Sequence, residues 1–108
     1  MSFISAHVLD ASAGVPAAGV EIRLHADDGD LLGMADTDTD GRVGELGPDA
    51  LSPGDYRVVF ATGAYFAGRG QECFHPVVEI RFTVAEGQPH YHIPLLLSPF
   101  AYTTYRGS

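Results

Sequence analysis

The residues best suited to chemistry in this chain are histidines and arginines near its two ends and at one turn. His90-Tyr91-His92-Ile93-Pro94-Leu95-Leu96-Leu97-Ser98-Pro99 lies close to the terminal Tyr105-Arg106-Gly107-Ser108. At the other end His7 interrupts the apolar run Ile4-Ser5-Ala6-His7-Val8-Leu9. Imidazole titrates near pH 6.5, about where a general base for water must work. A guanidinium keeps its charge and presents a planar set of donors, which suits a developing oxyanion. Two histidines separated by one strand residue can also reach one point, as some zinc sites begin, with His7 as the third ligand. His25 and His75 read as structural, His75 being fixed in a loop by Pro76. Taken alone, Arg42 in Thr39-Asp40-Gly41-Arg42 reads as an exposed turn residue.

Other patterns imitate sites without completing them. Asp36-Thr37-Asp38-Thr39-Asp40-Gly41 starts like a calcium loop, but its twelfth position is Gly47 instead of a bidentate Glu, and no helices flank it. Gly63 to Gly70 fails as a phosphate loop because Arg69-Gly70 replaces the Lys and hydroxyl residue. No Ser–His–acid spacing marks a nucleophile, and Cys73 reads as a core residue.

These side chains need rigid carriers, and the pattern supplies short strands. Tyr91, Ile93, Leu95 and Leu97 share one face of a strand, leaving His90, His92, Pro94 and Leu96 on the other. Pro94 cannot donate to a ladder, so this strand is expected at a sheet edge or irregular near Pro94, with Leu96 exposed and in need of a partner. Ile4, Ala6 and Val8 alternate with Ser5, His7 and Leu9 in a first strand, and Val20, Ile22 and Leu24 define a second. Asp27-Asp28-Gly29-Asp30 predicts a hairpin into a strand over 31–37. Residues 11–19 and 44–54 read as loops, Tyr56, Val58 and Phe60 as a strand face, and 62–70 as a short helix. Val78, Ile80, Phe82 and Val84 mark a further strand, and residues 102–106 a last short one. Seven or eight strands with one brief helix predict an all-β sandwich, a single domain over 1–108.

Composition narrows the partners. Fourteen acidic against six basic residues give a net charge of −8, which argues against nucleic acid. A single cysteine permits no intrachain disulfide, and no apolar run is long enough for a membrane span or a leader, so a cytoplasmic protein is expected.

The ending His90-Tyr91-His92-Ile93-Pro94-Leu95-Leu96-Leu97-Ser98-Pro99, with the terminal Tyr105-Arg106-Gly107-Ser108, resembles the signature of the 5-hydroxyisourate hydrolases, the enzymatic branch of the transthyretin-like family. Ala6-His7-Val8-Leu9-Asp10, followed by Gly14-Val15-Pro16-Ala17, is similar to the family's first motif, and Thr39-Asp40-Gly41-Arg42 to its middle one. The resemblance runs from about Ser5 to Ser108. It implies a two-sheet sandwich, no cofactor or metal, and a homotetramer whose sites lie in a channel between subunits. The implied reaction is hydrolytic opening of the six-membered ring of 5-hydroxyisourate in urate breakdown. The implied catalytic residues are His7, Arg42 and His92, with Tyr105, Arg106 and Ser108 joining His7 and Arg42 in substrate binding. His92 would activate water, His7 would position it or share the proton, and Arg42 would hold and polarise the ring. The competing expectation is a carrier of small aromatic ligands on the same fold, a branch that lacks this residue set.

Overall fold

Alternating apolar residues build two β-sheets that bury their inner faces against each other. The computed structural model describes residues 3–107. Its strands are β1 (Ile4–Asp10), β2 (Val15–Pro16), β3 (Glu21–Ala26), β4 (Leu31–Asp36), β5 (Arg42–Val43), β6 (Gly54–Phe60), β7 (Val78–Val84), β8 (Tyr91–Leu97) and β9 (Tyr102–Thr104). One helix, α1 (Thr62–Gly68), follows β6. The first sheet runs β2-β1-β8-β9, with β5 also paired to β1, and the second runs β4-β3-β6-β7. Ile4, Ala6, Val8, Tyr91, Ile93, Leu95 and Leu97 from the first sheet meet Ile22, Leu24, Val58, Phe60, Val78 and Val84 from the second. Burying such side chains supplies about 1.5–3 kcal/mol each, which is why register follows the apolar face.

The expected sandwich is present, with two more short strands than the pattern predicts, because β2 and β5 are two-residue pieces with no alternation to read. Of the two expectations for this strand, the edge is overturned and the irregularity near Pro94 is observed. β8 is interior, parallel to β1 over its whole length and antiparallel to β9. Pro94 fits there because the β8–β9 ladder stops at Leu95↔Thr104 and resumes only as the bridge His92↔Gly107. Its missing donor falls in that gap, and its carbonyl accepts the Thr104 hydroxyl at 2.8 Å. Leu96 is half-buried and not bare, registered beside Leu9 and sharing a shallow hollow with Val15 and Pro16. Leu46, inside the expected surface loop, is fully buried.

A buried carboxylate ties α1 to the first sheet. Asp10 ends β1 at 1% exposure and accepts hydrogen bonds from the Tyr65 hydroxyl at 2.8 Å and the Ser12 hydroxyl at 2.6 Å. Burial alone would raise this carboxyl, but the Ser12, Tyr65 and Ala13 N–H bonds and the Arg69 charge outweigh it and hold it below its ordinary value. Tyr65 is pushed up to about 12 by its burial and by donating to Asp10. The helix has no side-chain cap, so this bond and the buried Tyr65 and Phe66 rings fix it.

Candidate active site

The outer face of the first sheet carries the polar side chains that the core face excludes. In the parallel pairing Ser5 stands opposite His92 and His7 opposite Pro94. In the antiparallel pairing on the other side of β1, His7 stands opposite Arg42. Three segments far apart in the chain thus place His7, His92 and Arg42 on one patch of adjacent strands. The His7 and His92 ring centroids are 6.5 Å apart. A cleft of about 310 Å³ opens here, lined by Ser5, Arg42, Val43, Gly44, His90 and His92.

The turn before β5 is built to deliver Arg42. The Asp38 carboxylate accepts from the backbone N–H of Asp40 and of Arg42, each at 2.9 Å. Gly41 takes φ +74°, and a Cβ there would lie 2.3 Å from the Val8 carbonyl. Only glycine lets the turn press onto β1, where the Val8 N–H donates to the Gly41 carbonyl at 2.7 Å. The same turn orients His7, whose Nε2–H donates to the Asp40 carbonyl at 3.1 Å. A neutral His7 therefore keeps its lone pair on Nδ1. Arg42 is exposed and makes no ion pair among the described residues.

His92, like His7, is half-buried, whereas Arg42 is exposed. Burial first, then the charges of His7, Arg42 and His90, push its imidazole below its ordinary value. It is neutral at neutral pH and can accept a proton. Its Nδ1 lies 2.8 Å from the Ser5 hydroxyl, which also lies 2.9 Å from Nε2 of His90. The two histidines that could have begun a zinc site thus converge on a hydroxyl. No group of three His, Cys, Asp or Glu gathers as a metal set among the described residues.

The terminal motif is divided. Gly107 donates its N–H to the His92 carbonyl at 3.0 Å, and a Cβ on it would sit 2.6 Å from Cδ2 of His92. That glycine lets the terminus lie against the imidazole. Tyr105 and Arg106 line a neighbouring hollow that shares His92 and reaches Phe82, Tyr91 and Ile93. The Arg106 guanidinium lies 5.2 Å from the Tyr91 ring centroid. Within one chain these two residues do not join the histidine cleft, and Ser108 lies outside the described residues. Sequence reasoning passed over Ser5 and took Gly107 only as a member of the terminal motif, without its contact on His92. Ser5 could have been found, since it sits two residues before His7 on the same strand face.

A two-sheet sandwich is shared by more than one kind of protein, so similarity to known chains matters here. The HIUase/Transthyretin family model matches residues 4–107, and the chain belongs to that family. It is 45% identical to the 5-hydroxyisourate hydrolase of Salmonella typhimurium, over 99% of this chain and 82% of that protein. The structure of Klebsiella pneumoniae 5-hydroxyisourate hydrolase superposes with a TM-score of 0.91 at 36% identity, covering 99% of this chain and 100% of that one. Transthyretin from Sparus aurata superposes with a TM-score of 0.89 at 35% identity, covering 99% and 97%. Hydrolase and transthyretin are nearly equal as structural matches. The fold does not choose between them, and the cleft must.

Proposed function

We propose that the chain opens the six-membered ring of 5-hydroxyisourate by hydrolysis of a cyclic amide, giving 2-oxo-4-hydroxy-4-carboxy-5-ureidoimidazoline. The observation that carries this reading is the gathering of His7, Arg42 and a neutral, half-buried His92 on one face of the first sheet, where Arg42 and His92 line a common cleft. His92 takes a proton from water as the oxygen adds to the ring carbonyl. Arg42, a fixed cation beside the cleft, stabilises the oxyanion that forms. Collapse breaks the C–N bond, and the proton held on His92 goes to the leaving nitrogen. His7, oriented by the Asp40 carbonyl, places its Nδ1 lone pair to hold the water or the ring. Neither step asks for a redox group or a cofactor.

Tyr105, Arg106 and Ser108 complete the substrate site in this reading, Gly107 bringing the motif onto His92. The cleft is open on one side, and the outer face beside it carries Leu9, Leu96 and the exposed Val15. These features support a homotetramer in which a second copy covers the cleft and forms a channel. One core shared by both sheets supports a single domain over 1–108. The lone Cys73 supports a reducing, cytoplasmic setting. No helix among the described residues is long and apolar enough to cross a membrane.

The test is the ultraviolet decay of freshly made 5-hydroxyisourate with wild-type protein, His92→Ala and Arg42→Ala. Each variant should fold and lose roughly 10²-fold or more in turnover. A folded His92→Ala protein with wild-type turnover would remove His92 from the mechanism. Thyroxine or another aromatic ligand bound without any acceleration of the decay would favour a carrier instead.

A further inference from the structure

The Ser5 hydroxyl touches two ring nitrogens and has one proton to give. It lies 2.8 Å from Nδ1 of His92 and 2.9 Å from Nε2 of His90. A hydroxyl so placed donates to one ring and accepts from the other, so the two imidazoles cannot choose their tautomers independently. We propose that Ser5 is a positioning residue, accepting the Nδ1–H of His92 and donating to Nε2 of His90, so that the lone pair of His92 stays on Nε2.

The opposite direction would place the proton of neutral His92 on Nε2, and the ring at the cleft would then have nothing to accept a proton with. The chosen direction keeps His92 an acceptor and asks of His90 only a lone pair on Nε2. The surroundings add a reason to hold this proton by hydrogen bonding and not by charge. His7 on β1, Arg42 on β5 and His90 just before β8 all bring positive or titratable groups to His92, and Arg106 lies over the adjoining Tyr91 ring. No carboxylate among the described residues faces His92 to fix the ring, as an acid does in many histidine sites. A neutral hydroxyl orients the imidazole without stabilising its cation, and the ring remains a base that releases its proton to the leaving group. The strand register makes the arrangement rigid, because Ser5 and His92 are direct partners on two interior strands.

This inference rests on the hydrolase reading for its kinetic part only. The experiment uses the full chain labelled with nitrogen-15 at histidine, in wild type, Ser5→Thr and Ser5→Val. Threonine and valine have nearly the same shape and both suit a strand, so the pair isolates the hydroxyl. Two-bond proton–nitrogen correlation spectra near neutral pH should show His92 with its proton on Nδ1 in wild type and Ser5→Thr. In Ser5→Val that tautomer should lose its dominance, with kcat down roughly tenfold or more and KM within about twofold. A wild-type spectrum with the His92 proton on Nε2, or an unchanged tautomer and kcat in Ser5→Val, would overturn the proposal. The spectra need no substrate. A wild-type protein that failed to hydrolyse 5-hydroxyisourate would therefore refute the proposed function while the spectra still decided the role of Ser5.

Discussion

Gly107→Ala is the sharpest test of whether the terminal motif works through its contact with His92. A Cβ added there lies 2.6 Å from Cδ2 of the His92 ring, 3.1 Å from its carbonyl oxygen and 3.2 Å from its Cβ. The first distance is inside any real carbon contact, so either the imidazole or the terminal segment must retreat by about 1 Å to regain van der Waals distance. Gly107 is not at a positive φ, so the backbone itself tolerates alanine and the clash is the whole effect. A misplacement near 1 Å in a reacting group costs about 10²-fold in rate, and that is the loss expected in kcat. Stability should hardly change, because Gly107 makes one isolated bridge outside the regular strands. Gly68→Ala is the control. It lies in α1, nothing stands within 4 Å of its added Cβ, and alanine there should be neutral or stabilising by about 0.5–1 kcal/mol. The assay is the decay of 5-hydroxyisourate corrected for its spontaneous hydrolysis, with thermal unfolding of each variant alongside. A folded Gly107→Ala protein with wild-type kcat would show that the terminus does not hold His92 in place.

Three further outcomes follow from the same geometry. His92 is held below its ordinary value, so the acid limb of kcat/KM should lie below pH 6.5, and Arg42→Gln should move it upward by removing one of the cations responsible. The unfolded chain takes up this proton first, so native stability should begin to fall as pH drops below about 6.5 and level off beneath the folded value; chemical denaturation across pH checks the sign. Exhaustive chelation should leave turnover unchanged and elemental analysis should find no stoichiometric zinc, whereas loss restored by added zinc would revive a His90–His92 metal site. Leu96→Glu should shift the proposed tetramer towards smaller species in light scattering and reduce activity, since a buried carboxylate from each copy costs several kcal/mol; an assembly unaltered by the substitution would place the contact elsewhere.

What was legible in the sequence is what one-dimensional periodicity controls. Tyr91, Ile93, Leu95 and Leu97 read correctly as a core face because alternation is a local property, and all four are buried. The hairpin at Asp27 to Asp30 and the helix at residues 62–68 were legible for the same reason, each set by a few neighbouring residues. The strand that carries Arg42 was not. Its two residues pair with β1 only because Gly41 can crowd the Val8 carbonyl, a contact across more than thirty positions that no local pattern encodes. Ser5 was legible as a neighbour of His7 on one strand face, but its register with His92 was not.

The misreading of β8 as an edge shows where a local rule meets its limit. Proline forbids a donor at one atom, and the inference to an edge assumed that every interior strand needs that donor. Here the need disappears because the partner strand is short: β9 pairs only Tyr102 to Thr104, and the chain returns to the ladder at Gly107. The unpaired stretch is Tyr105 and Arg106, freed from the ladder opposite Pro94 and Ile93. Proline at that point and a glycine at Gly107 are thus two halves of one device. The first releases the two side chains proposed to bind substrate, and the second brings the chain back against the imidazole proposed to activate water. Both β8 neighbours serve the site, since β1 supplies Ser5 and His7 on the other flank. An edge strand would have had a partner on one flank only, and the proposed substrate site draws on both.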